Sequence, residues 1–172
     1  MPDRLDRSVL TKIIPVAVAV TVAAAVAITG AATAATTTGN EHLSLINIQT
    51  NGSTPLHYSA IATGAFTAGG TAIIDSKAGT GTLRFQGGTI ALKIKPGTTK
   101  STGHPGCLLI ETAPATYTIA GGTGIYKGIT GSGKSKGTAT FVGATVNGKC
   151  SNNTPADAIQ IVTTASGPVS LP

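Results

Sequence analysis

Residues Gly128-Ile-Thr-Gly-Ser-Gly-Lys-Ser135 fit the pattern G-x-x-x-x-G-K-[ST]. In that pattern backbone N–H groups cradle phosphates, the lysine reaches the β- and γ-phosphates, and the last hydroxyl meets Mg²⁺. The chemistry needs the loop to lie between a buried parallel strand and the N-terminus of a helix, where exposed amides and the helix dipole attract an anion. Here Lys136-Gly-Thr-Ala-Thr-Phe-Val-Gly-Ala-Thr-Val146 follows. Gly, Thr and Val disfavour helix, and their alternation reads as strand. The only apolar run ending in Asp, Ile73-Ile74-Asp75, is short and precedes the loop. Gly128, Gly133, Lys134 and Ser135 therefore read as a chance match inside a turn-rich antiparallel sheet, and no nucleotide is expected.

Other reactive groups are few. Beyond residue 35 the acids are Glu41, Asp75, Glu111 and Asp157, and the histidines are His42, His57 and His104. No serine sits in a G-x-S-x-G turn, so a Ser-His-Asp hydrolase has no support. His42 and His57 could approach on neighbouring strands, but a complete metal site wants three or four ligands and no third is evident. Neither metal nor cofactor is expected. Glu111 is the one catalytic candidate. Strand alternation puts it on the face of Cys107 and Leu109; if that face points inward, Glu111 is a buried acid at the mouth of a closed sheet. Burial would raise its pKa and suit it to proton chemistry on an apolar substrate. The other register turns Leu108 and Ile110 inward and leaves Glu111 in water, and the apolar run allows both. Phe85, Tyr117, Tyr126 and Phe141 are candidates to line a cavity, core packing being their alternative use.

The elements that would position these groups follow a leader. Charged Asp3, Arg4, Asp6, Arg7 and Lys12 precede an uncharged apolar run from Ile13 to Ile28 and the small residues Gly30-Ala-Ala-Thr-Ala-Ala35. This layout is that of a secretory signal peptide over 1–35. The apolar run contains Pro15 and falls short of the roughly 20 residues needed to span a bilayer. A secreted or cell-envelope protein with no lasting membrane span is expected. Residues 36–41 read as a flexible entry and 42–172 as one domain.

That domain is rich in Thr (25) and Gly (22), with eight Leu and no Trp. β-branched and turn-forming residues dominate, so the fold should be all-β. Nine Lys and Arg against four Asp and Glu leave +5. Lys93 and Lys95 share one strand face, and Lys127, Lys134, Lys136 and Lys149 cluster in sequence. A basic patch for acidic polymers or a cell envelope is one reading; a solvated face is the plainer one. A single Arg and six aromatics are too few for a nucleic-acid stacking platform. Cys107 and Cys150, in an exported chain, should bond to each other.

Strand candidates bounded by Gly, Pro, Asn or Ser run from His42 to Ile48, Leu56 to Thr63, Ala65 to Ile74, Gly81 to Phe85 and Thr89 to Lys95. After a loop from Pro96 to Gly106 come Cys107 to Glu111, Thr116 to Ile119, Gly137 to Val142, Ala158 to Thr163 and Pro168 to Leu171. Ile90, Leu92 and Ile94 face one way and Lys93 and Lys95 the other, as in a strand half-buried on a core. Arg84, between Leu83 and Phe85, should face out. Eight or nine such strands without helices must close into a barrel or pair into a sandwich. The leading expectation is a small eight-stranded antiparallel barrel with one disulfide, the alternative a Greek-key β-sandwich.

Thr116-Tyr-Thr-Ile-Ala-Gly-Gly-Thr-Gly-Ile-Tyr-Lys-Gly128, followed by Gly131-Ser-Gly133, resembles the G-G-T-G-x-(aromatic)-x-G signature of the allene oxide cyclase and dirigent β-barrels. Gly64-Ala-Phe-Thr-Ala-Gly-Gly-Thr71 and Ala165-Ser-Gly-Pro-Val-Ser-Leu171 are similar to a group of small secreted actinobacterial proteins that share the barrel. The resemblance implies an eight-stranded antiparallel barrel with an apolar interior; it carries no catalytic acid over to this chain. The function expected is a non-enzymatic barrel that binds a small apolar molecule or serves at the cell envelope. The alternative is a cofactor-free enzyme of the cyclase or dirigent kind, guiding cyclisation or coupling in the barrel cavity.

Overall fold

The computed structural model describes residues 36–49, 55–151 and 153–172. The leader expected over 1–35 lies outside them. Eight antiparallel strands close a barrel: β1 (Thr37–Gln49), β2 (Leu56–Thr63), β3 (Ala68–Asp75), β4 (Thr80–Phe85), β5 (Gly88–Pro96), β7 (Leu108–Gly122), β8 (Thr130–Val142) and β11 (Ala158–Leu171). Three shorter strands decorate it: β6 (Lys100–His104) on β7, and the two-residue pair β9 (Thr145–Val146) and β10 (Lys149–Cys150). Each barrel strand pairs with its neighbours in the chain, β5 meets β7, and β1 meets β11. This is an up-and-down barrel, so the Greek-key sandwich does not form.

Two expectations need correction. Residues 37–41, read as a flexible entry, are strand: Thr37 stands opposite Leu171 and Glu41 opposite Gly167. Their polar sequence concealed this, because pairing to β11 is made by backbone. Residues 100–104, read as loop, form β6, whose side chains are all exposed and which pairs only with β7.

Period-two burial explains the barrel wall. In β2 Tyr58, Ala60 and Ala62 are buried while His57, Ser59, Ile61 and Thr63 are exposed. Leu43 and Leu45 of β1, Leu83 and Phe85 of β4, and Ile90 and Leu92 of β5 likewise point inward. Arg84, Lys93 and Lys95 are exposed.

One end is sealed. Phe66, from the β2–β3 connection, meets Phe85 at 6.0 Å and Tyr126 at 5.3 Å between ring centroids, and Phe85 meets Tyr126 at 6.0 Å. Each ring removed from water contributes about 2–3 kcal/mol, and tilted or edge contacts add about 0.5–1.5 kcal/mol per pair. Tyr126 ends a single 3-10 turn, Gly124–Tyr126. Gly124 has φ +60, and a Cβ there would lie 1.9 Å from the Gly87 carbonyl oxygen. Only glycine permits both that conformation and that approach. Thr123 fastens the turn: its N–H donates to the Thr89 carbonyl at 2.9 Å, and its Oγ1 accepts from the Thr89 N–H at 3.0 Å.

The other end is open. There β1, β11, β8 and β7 run past the shorter β2–β5, and the β6–β7 and β9–β10 hairpins form a rim. Cys107, in the turn before β7, and Cys150, in β10, are disulfide-bonded and tie the two hairpins together. Closing a loop with a separation of 43 residues restricts the unfolded chain by about 4 kcal/mol in the entropic account.

Candidate ligand cavity

A cavity of about 390 Å³ occupies the open half of the barrel. Its β1–β5 side is mainly large aliphatic, and the facing wall is mixed. The β1–β5 side supplies Leu43, Leu45, Leu56, Ile74, Leu92 and Ile94. The facing wall sets small residues, Ala113 and Ala115 from β7, Ser135, Gly137 and Ala139 from β8 and Ala165 from β11, among the larger Tyr117, Phe141 and Ile161. The run of Ala and Gly in that wall leaves room that leucines at the same positions would fill.

Polar groups are few and graded along the axis. Glu111 lies near the rim with Ala113, Ala115 and Tyr117 on the inner face of β7, which selects one of the two registers its sequence allowed. It is half-buried, and Ser101 of β6 donates its hydroxyl to Oε1 at 3.1 Å. Farther in, Tyr58 and Thr163 line the wall. Burial pushes the Tyr58 phenol up, opposed by the Thr163 hydroxyl.

At the floor the cavity meets a small void through their shared Leu43, Leu92 and Tyr117. Glu41 lines that void and is 2% exposed. Its Oε2 accepts from the Phe66 N–H at 3.1 Å, while its Oε1 and the Tyr117 hydroxyl have no hydrogen-bond partner. Removal from water raises the Glu41 carboxyl above its ordinary value, although the backbone N–H groups of Phe66, Ala65 and Thr63 and the neighbouring His42 pull the other way. Burial first, and the Glu41 charge second, raise both Tyr117 and Tyr126.

Two glycines bring Glu41 and Tyr117 into this relation. Glu41 on β1 pairs with Gly167 on β11, and Tyr117 on β7 pairs with Gly133 on β8. A Cβ on Gly167 would lie 2.6 Å from the Gly133 Cα, and a Cβ on Gly133 would lie 2.7 Å from the Tyr117 hydroxyl. The inner wall between the carboxyl and the phenol is therefore bare backbone.

The four aromatic candidates divide between the two ends. Tyr117 and Phe141 line the cavity. Phe85 and Tyr126 do not: they belong to the aromatic seal, because the inward register of β4 and the 3-10 turn both deliver their rings to the closed end. Glu41 escaped the sequence reading, in which the first strand began at His42. Extending the Leu43, Leu45 alternation back by one step would have turned it inward.

The phosphate-loop-like segment has a different use. Gly128, at φ +85, leaves the 3-10 turn, and strand β8 follows from Thr130 with no helix. Gly133 and Ser135 face the interior while Lys134 lies exposed on the outer face, so the lysine and the hydroxyl point to opposite sides of one wall. His42 stands opposite Thr63, and His57 opposite Ile73, which separates the two histidines along the wall. Among the described residues no group of three or more His, Cys, Asp or Glu is placed to hold a metal. Lys127 lies beside the closed-end turn and Lys149 in the rim hairpin, so neither joins Lys134 and Lys136 on the flank. No protein-family model matches the chain, and no curated protein and no solved structure matches it.

Proposed function

We propose that this chain is an exported, non-enzymatic barrel that carries a small apolar molecule in its open half. The observation that supports this reading is the cavity itself. At about 390 Å³ it falls in the range of small-ligand sites, roughly 300–1,000 Å³. Its walls are mainly aliphatic, with a few polar groups spaced along its length to orient a guest. A ligand would enter past Glu111 and rest its leading end near Tyr117.

The test is native mass spectrometry of the mature protein from its producing culture, followed by titration with an apolar fluorophore. A mass excess that disappears on denaturation, and a probe affinity reduced at least ten-fold by Ala139→Phe without unfolding, are expected. A chain that carries no guest and binds no apolar probe overturns the reading.

A second reading rests on Glu41. A buried carboxyl with one free oxygen beside a partnerless phenol, below an apolar chamber, suits a cofactor-free enzyme of the cyclase or dirigent kind. It would supply a polar group to a reactive intermediate shielded from water. Recovery of a guest chemically changed by the wild type but unchanged by Glu41→Gln, at equal binding, would favour it; identical guests from both proteins would remove it.

A further inference from the structure

The outer face of the wall formed by β5, β7, β8, β11 and β1 is positive and holds no acid. Lys93 and Lys95 on β5 and Lys134 and Lys136 on β8 are all exposed there. The two carboxylates on these strands, Glu41 and Glu111, both turn inward. Of the other acids among the described residues, Asp75 ends β3 and accepts the Ala78 N–H at 2.8 Å, and Asp157 lies in the connection before β11. Four of the nine cations beyond residue 35 thus share a surface with no acidic partner among the described residues.

The register orders them. Lys95 pairs with Thr116, and Thr116 with Lys134, so the two lysine pairs stand two strands apart. Within a pair the spacing is about 6.8 Å along the strand, and between pairs about 10 Å across the sheet. Thr116 and Thr118 on β7 lie between the pairs, and Ser132 on β8 and Ser166 and Thr164 on β11 flank Lys134 and Lys136. Beside Lys134 and Lys136 a shallow groove crosses β8, β11, β1 and β2, with Ser44, Thr63, Thr164 and Ser166 along it. Every Phe and Tyr is buried or half-buried, so this face offers no ring for a base or sugar to stack on.

We infer that this wall docks a linear polymer of polyol phosphodiesters, of the kind that makes an envelope anionic. Lysines are point charges on flexible stems that follow a row of phosphates without bidentate geometry. The threonine and serine hydroxyls between and beside them meet phosphate oxygens or polyol hydroxyls. Nucleic acid has the same charges but would leave its bases without a platform. The site is on the outside of the barrel and is independent of what the cavity holds.

The probe is a synthetic glycerol-phosphate dodecamer, titrated against the mature protein at several salt concentrations. Contacts to about four phosphates predict a slope of log affinity against log salt near −3, or roughly a 60-fold loss between 50 and 200 mM salt. Replacing Lys93, Lys95, Lys134 and Lys136 by Gln should abolish binding, and Lys134→Gln alone should flatten the slope by about 0.7. Replacing Lys77, Lys100 and Lys149 by Gln removes charge elsewhere and should leave binding within two-fold; unchanged melting temperatures confirm that all variants fold. An equal loss in that control set, an affinity for single-stranded DNA of equal length as tight as for the dodecamer, or no binding at all would each overturn the proposal.

Discussion

Phe66, Phe85 and Tyr126 meet within 5.3 to 6.0 Å at one end of the barrel, whereas Ala113, Ala115, Gly137 and Ala139 face an unfilled interior toward the other. Glycine serves both ends in opposite ways. At the sealed end Gly124 gives up a side chain so that two backbones can touch; on the cavity wall Gly137 gives one up so that space remains. Stability and capacity are thus assigned to different halves of a continuous sheet. One half is packed around aromatic rings, and the other keeps an open interior.

The largest effect should come from the sealed end. Phe85→Ala is expected to lose about 3–5 kcal/mol in urea unfolding, since the site cannot collapse around the missing ring. Ala139→Leu, which adds volume beside open space, should change stability by less than about 1.5 kcal/mol. Comparable losses would erase the distinction between the two halves. Next, replacing both Cys107 and Cys150 by Ser should cost up to about 4 kcal/mol. Amide exchange should quicken first near Leu109 at the rim, leaving Thr123 and Ile129 protected. Gly124→Ala should cost about 2 kcal/mol or more, read as a lowered melting temperature, because it forces a side chain into the left-handed region against a carbonyl.

The smallest and most specific effect lies between the halves, at Glu41. Its carboxyl is raised in the folded state, so folding favours the protonated form. That contribution is fully present below the unfolded carboxyl's pKa and is lost as pH rises through the folded one. Glu41→Gln keeps the Phe66 contact but cannot ionise. It should match the wild type near pH 4 and melt higher near pH 8. A wild type that is the more stable at pH 8 would mean that the ionised carboxylate is well accommodated.

Alternation made the barrel legible wherever both faces were chemically distinct. Ile90, Leu92 and Ile94 against Lys93 and Lys95 could be read directly, and so could Arg84 between Leu83 and Phe85. It failed where the faces looked alike or the rule was broken. Leu108 to Glu111 are apolar on both faces before the acid, so only the pairing of β7 with β8 could orient Glu111. Glu41 violates inside-apolar patterning and stands beside polar Asn40, and the eye stops one residue short of it. Lys100-Ser-Thr-Gly-His104 has loop composition because an outlying strand needs only backbone to pair. Nor could composition tell rings that seal from rings that line, since Phe85 and Phe141 occupy similar strands and differ in the end they reach.

The seam between β1 and β11 constrains how the molecule can form. Thr37 lies opposite Leu171 and Gln49 opposite Ile159, so this pairing joins residues more than a hundred positions apart. No sub-barrel can close before both strands are present. Such distant pairing costs loop entropy before any contact repays it, which slows folding. Until β11 arrives, the Leu-lined face of β1–β5 and the edge of β1 stay uncovered. The chain should accordingly fold late and all at once, and removing Ala158–Leu171 should yield an aggregating species rather than a smaller barrel.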